Sequence, residues 1–479
     1  MKLSRLAAFL ILAAGLAAQG HAATQKPAGQ GCDRPPPPPA GAQSAPAGER
    51  PPGPPPGEGK ERAPGCGPAA GADGMPPPPP DAAAGKAEIR AEHVLAGGNA
   101  VWAQREFATR AADTSAVLAT RGAKLALNQI SVRKDGNTSS FDASSFLGMN
   151  AALLANEGAA LSVKDGHVLA TGSGANGAFA HGSGASVRLE HVEIRATGDN
   201  AHGVMVAGGG TMTLNEVSIF TSAQRSAAIA TDRGGGTVRV KGGSWRTTGR
   251  TSPVLYSTGM LDVNGGEGSA GDSEAIVIEG SNSVSLTGTE LSGARNGAMI
   301  YQSFSGDAQG QHGRLAMLGG ALRAASGPLF FVTNASADVE VRGSTLEAVS
   351  GVLAEARADR WGRKGANGGH LALRVAEQTV QGRLLTDTLS DIRLSLEQGA
   401  NWTGSAKGKV SVQLGEKAVW TLDGNTEVQA LKGADCESGT CRNIRGKGHV
   451  LRYDVVANAW AAGRSFALEG GGELKPALP

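Results

Sequence analysis

The residues of this chain best suited to chemistry fall into two columns. Asp165, His191 and Glu216 recur at intervals of 26 and 25 residues, and His167 and Glu193 recur at 26. If the segments between them stack as coils about 4.8 Å apart, an imidazole comes to rest between two carboxylates. Such a set suits proton transfer or the holding of a divalent cation. The plainer expectation is a solvated polar ladder, in which opposite charges on neighbouring coils relieve repulsion, as Lys164 over Glu190 would also do. On that expectation the chain carries no catalytic residue, no metal ligand and no cofactor.

A second constellation is cationic. Arg357, Arg360, Arg363 and Lys364 surround Trp361 within a few residues. A basic cluster around one aromatic ring on a loop is the expected recognition element, with a tolerated surface insertion as the alternative. Cys436 and Cys441, separated by four residues, are expected to staple a small loop, since no further ligands lie nearby to complete a metal site. Gly271-Asp272-Ser273 has the look of a protease nucleophile, but Glu274 stands where a glycine is expected, and it is discounted. Ala180-His181-Gly182 and Ala201-His202-Gly203 look alike yet fall out of register. The formal charge is only +2, so no nucleic-acid partner is expected.

What must position these residues is a repeat. Val187-x-Leu189-x4-Ile194 is followed by Met212-x-Leu214-x4-Ile219 and by Val238-x-Val240-x4-Trp245. Apolar residues at period two bury one face of a strand, and the longer gap carries the chain round a bend into the next strand. The pattern begins at Leu125, Leu127 and Val132 and continues at Leu161, Val163 and Val168. It recurs at Val284, Leu286 and Leu291, at Leu315, Met317 and Leu322, and at Val339, Val341 and Leu346. Looser copies include Leu373, Val375 and Val380. A further apolar strand precedes each good copy, as at Leu153-Leu154, Val204-Met205 and Phe330-Phe331. A unit this short cannot bury its own face and must stack on its copies.

The expected fold is therefore all-β: a right-handed parallel β-helix over 87–432, with about ten coils in the repeat region. Residues 433–479 are expected to finish the coils and cap them, with 87–115 as the candidate cap at the other end. With 72 glycines and 4% aromatic residues, the core must be built from Val, Leu, Ile and Ala. Helical spacings are absent, and the period has no reason to exist in an immunoglobulin-like sandwich. Longer intervals between anchors place expected insertions at Ser257 to Ser283, Gln302 to Gly313 and Glu355 to His370, all in one turn and so on one edge. Residues 1–22, with Lys2, Arg5 and an apolar run too short to span a bilayer, read as a signal peptide. Residues 23–86 hold 19 of the 23 prolines and read as a disordered spacer. No later stretch is long and apolar enough for a membrane helix.

The late coils carry a resemblance. Leu394, Leu396 and Trp402, followed by Trp420-x-Leu422-x-Gly424-x-Thr426-x-Val428-x-x-Leu431, are similar to the final coils of pertactin-like autotransporter passengers. The similarity covers roughly residues 90 to 470 and is strongest between 390 and 432. It implies a monomeric, exported β-helix that is secreted, cell-surface or periplasmic. It also implies an adhesin-like, virulence-associated role toward a host-cell or envelope protein or glycan. The family's membrane β-barrel is not matched by any residues of this sequence, so export through a fused barrel is not expected. The enzymatic rival on this architecture is a polysaccharide lyase or hydrolase, which needs clustered carboxylates on one strand face. The outward positions of the V-x-L strand offer Ala126, Ser162, Arg188, Thr213, Arg239 and Ser285 instead.

Overall fold

The computed structural model describes residues 87–305, 308–437 and 439–477. The signal segment at 1–22 and the spacer at 23–86, with Cys32 and Cys66, lie outside the described residues. Within them the chain winds into a right-handed parallel β-solenoid of about 15 turns. Helix Phe141–Leu147 is inserted between two coils, capped by the Ser140 hydroxyl at its start and by left-handed Gly148 at its end.

The triple repeat stacks in register: Val187 on Met212 on Val238, Leu189 on Leu214 on Val240, and Ile194 on Ile219 on Trp245. The preceding apolar strands form their own sheet of 13 parallel strands, from Arg90–Ala96 to Ala406–Lys407. The long gap in the repeat hides one more inward residue. Ile130, Val192 and Val217 are all buried, one step past the bend. One continuous core then runs from Phe107 to Leu474, with Trp245, Trp402 and Trp420 as its largest buried side chains.

The bend itself has a backbone cause. In strands such as Ser186–Ala196 one residue adopts a left-handed conformation and turns the strand by a corner. That position is held by Gln104, Gln129, Asp165, His191 and Glu216 at φ of 50–55°, then by Gly242, Gly265, Gly288, Gly319 and Gly343 at 59–71°. A left-handed residue strains any side chain with a Cβ; glycine relieves this in five successive coils before Glu377 and Gln398 hold the position at 55° and 51°.

One difference from the sequence reading follows from this packing. Ser257 to Ser283 is not an insertion. Strands Met260–Asn264 and Glu267–Asp272 supply an additional coil, with Leu261 and Val263 stacked between Val238 and Val284, and Val240 and Leu286. It escapes the pattern because Gly268 stands where the third apolar residue should be. A Cβ on Gly268 would lie 2.7 Å from Val254, 2.9 Å from Leu291 and 3.3 Å from the Trp245 ring, so neighbouring side chains already fill that layer. Only 302–313 and 355–370 remain as insertions after the 13-stranded sheet. Residues 87–115 also take the form of a coil, with Ala100 and Trp102 paired to Leu125 and Leu127.

Candidate functional site

The polar columns stack as the spacing implies, but they pair differently. Asp165 and His167 lie on strand Ala160–Ala170, and His191 and Glu193 lie on strand Ser186–Ala196. His167 is directly in register with Glu193. The Nδ1 of His191 lies 3.4 Å from Asp165, and that of His167 lies 3.3 Å from Glu193. The result is a two-by-two checkerboard of imidazoles and carboxylates. Glu216 does not complete the set. Its carboxylate folds over Gly242 in the following coil, because only a glycine there leaves the space. His191 is thus flanked by one carboxylate rather than two, and no group of three acidic, His or Cys side chains converges on a cation position among the described residues.

The checkerboard opens into a shallow depression of about 510 Å³, which Gln104, Arg105, Glu106 and Gln129 share with Asp165, His167 and His191. All four checkerboard side chains are about half exposed or more. Ion pairs in that setting contribute about 0–1 kcal/mol. The corner column is polar first because the left-handed bend faces water, and Lys164 reaches Glu190 at 3.4 Å beside it, as the ladder reading expects.

The basic cluster is divided by the fold. Arg357 is half-buried. It pairs with Glu355 at 3.2 Å and Asp359 at 3.5 Å, and its guanidinium lies over the Phe331 ring. It serves the loop's own structure. Arg360, Arg363 and Lys364 are exposed, Arg360 lying over the Trp361 ring at 4.7 Å. Trp361 reaches back across the edge to the other insertion, packing on Tyr301 at 5.3 Å and Phe304 at 5.9 Å between ring centroids. The amide of Asn367 donates to the carbonyls of Asp359 and Trp361, each at 2.7 Å, and so ties the loop to its own base. Asn334 donates to the carbonyl of Gln302 beneath. Two insertions from different coils thus form one ordered platform.

Under this platform lies a carboxylate that the repeat pattern does not reveal. Glu279, only 1% exposed at the end of strand Ile276–Glu279, accepts hydrogen bonds from Tyr256 and Tyr301 at 2.8 Å each. Ser303 and Ser305 of the 302–313 insertion donate to its other oxygen. Burial, and then the charge of Glu279, push the Tyr256 hydroxyl well above the ordinary tyrosine range. A buried charge is tolerated only when hydrogen bonds replace its water, and here two come from the coil strands and two from the insertion itself. The single signal in the sequence was the pair of tyrosines on the two leading strands that flank Ile276–Glu279.

Cys436 and Cys441 form a disulfide, next to strand Thr440–Arg445 near the C-terminal end. His181 and His202 are indeed out of register, since His181 pairs with Ala207 while His202 precedes the strand. Among the described residues no helix is long and apolar enough to cross a membrane. Fold and site together define a parallel β-solenoid carrying a loop platform on one edge. Set against protein-family models, curated proteins and solved structures, the chain matches none of them.

Proposed function

We propose that this protein is an exported binding module: a rigid rod that engages a host-cell or envelope protein or glycan through the platform on its edge, in the manner of an adhesin. The observation that carries this reading is the contact of Trp361 with Tyr301 and Phe304. It holds two loops in one arrangement before any partner arrives, which lowers the ordering cost of association. The side chains of Arg360, Arg363 and Lys364 then project together, without acidic partners among the described residues. Exposed cations beside an aromatic ring suit an acidic surface on the partner, where they raise association rate and specificity. The similarity of the late coils to pertactin-like passengers supports the same role and a place outside the cytoplasm.

The test is binding of the purified chain to intact host cells and to isolated envelope fractions, read by flow cytometry and surface plasmon resonance. Reversing the three cations together (Arg360→Glu, Arg363→Glu, Lys364→Glu), or deleting 356–369, is expected to weaken binding about tenfold or more. Wild-type binding should weaken with added salt. Unchanged binding by either folded variant removes the reading.

A further inference from the structure

A groove of about 680 Å³ runs along the outer face of the second arm of the coils, away from the platform residues. Seven successive strands line it, from Ser186–Ala196 to Thr345–Ala348, which gives a length of roughly 29 Å at the spacing of stacked strands. The first six of these strands are hydrogen-bonded to both neighbours in the stack, and Thr345–Ala348 is paired on one side, to Ala321–Ala324. Along those six an extended peptide would find no free strand edge to pair with.

Side chains of both signs line the groove. Glu193, Glu267, Glu290 and Glu347 face it together with Arg195, Arg246 and Arg323, four carboxylates against three guanidiniums. Such a balance gives no bulk attraction for a highly charged polymer. Two of the arginines are already engaged: Arg323 pairs with Glu347 at 3.0 Å, and Arg195 lies over the Phe220 ring at 4.7 Å. Glu267 and Glu290 stand in register on adjacent strands, with no cation paired to either among the described residues. Arg246 sits on the strand before Glu267 and likewise has no acidic partner among the described residues. Short hydroxyls at Ser244, Ser269 and Ser292 fill the positions between them.

We propose that this groove binds a linear, uncharged glycan chain lying along the axis of the rod. Sugar hydroxyls donate to the adjacent carboxylates of Glu267 and Glu290, relieving two like charges held side by side, and accept from the Arg246 fork. Half-buried Phe220, one face of which Arg195 covers, offers its ring edge to the apolar side of a pyranose. The length of the groove fits an extended chain rather than a single sugar. This site stands apart from the platform and does not rest on the role proposed for it.

The experiment is titration calorimetry of the purified protein with cellohexaose, maltohexaose and the β-1,4-linked N-acetylglucosamine hexamer, with polygalacturonate hexamer as the charged comparison. Saturable binding of at least one uncharged hexamer is expected. Arg246→Ala and Glu290→Gln, both outward substitutions on the strand face, should each weaken it about tenfold, as should Phe220→Ala. Melting curves and platform-dependent cell binding should be retained in all three. Failure of every uncharged hexamer to bind at millimolar concentration overturns the proposal. So does binding that Arg246→Ala and Glu290→Gln leave intact, or binding of polygalacturonate alone that salt abolishes.

Discussion

Trp361 lies with its ring centroid 5.3 Å from that of Tyr301, the last residue of strand Ala298–Tyr301, and so ties one insertion to the root of the other. The contact closes the platform over Glu279, whose carboxylate the Tyr301 hydroxyl helps to satisfy. One aromatic pair therefore links an exposed cationic loop to a buried charge.

Removing that pair should loosen the loops without unfolding the rod. Trp361→Ala is expected to raise amide exchange at 357–368 and at 302–305, while strands of the repeat keep their protection. The global cost should stay near 1–2 kcal/mol, because the ring is only half-buried and the main core does not include it. Loss of protection across the repeat strands would show that the platform is part of the core after all.

Trp420 carries far more of the stability. Its ring stacks on Trp402 at 4.7 Å, both are fully buried, and each indole N–H donates to a glycine carbonyl, of Gly404 and Gly382 respectively. Trp420→Ala is expected to destabilise the late coils by about 3–5 kcal/mol, and Trp420→Phe by less. Because each coil contacts mainly its neighbours, the loss should appear in chemical denaturation as an early transition confined to the C-terminal coils.

His202 makes the fold sensitive to acid. Its ring is buried, Nδ1 accepts from the Ala227 amide at 3.1 Å, and burial lowers its pKa to about 4. The unfolded chain takes up this proton near pH 6.5, whereas the folded chain refuses it down to about 4. Its contribution is therefore fully present above the unfolded value and falls as pH drops through that window, by about 3 kcal/mol in all. Urea midpoints measured at pH 7, 5.5 and 4.5 should fall more steeply for the native chain than for His202→Asn. Equal slopes would exclude His202 as the source.

Lys134 acts in the opposite window. It is fully buried, its Nζ donates to the carbonyls of Ala111 and Gly136, and burial lowers its pKa to about 8. Between that value and the ordinary lysine value of 10.5 the unfolded chain holds a proton that the folded chain has released. Stability contributed by this site should therefore rise with pH across that interval. Thermal melts at pH 7.5 and 9.5, compared between the native chain and Lys134→Met, report the difference. A smaller pH gain in the native chain than in the variant would contradict it.

Much of the fold was legible in the sequence, and the exceptions have physical causes. The coil of Leu261 and Val263 was hidden because Gly268 yields its volume to Val254, Leu291 and Trp245, which close around it from three coils. The polar column of Asp165 and His191 was visible, but its reason was not. The left-handed corner puts these side chains in water, and the glycine at 242 lets Glu216 turn away from His191. The basic cluster was legible as a set of residues, though not that Arg357 would be spent on Glu355, Asp359 and Phe331.

By itself, the spacing of small apolar residues determined a stacked parallel solenoid, its register, and the place of the two insertions. A period-two stripe that cannot be buried within one coil has no other outlet. Only the tertiary structure decided which residues meet across coils: Trp361 with Tyr301, Glu279 with four hydroxyls, and Glu267 beside Glu290. Those meetings depend on loop paths and on neighbouring coils, and a linear pattern carries neither. The repeat sets where a side chain stands along the rod, while packing between coils sets what it touches.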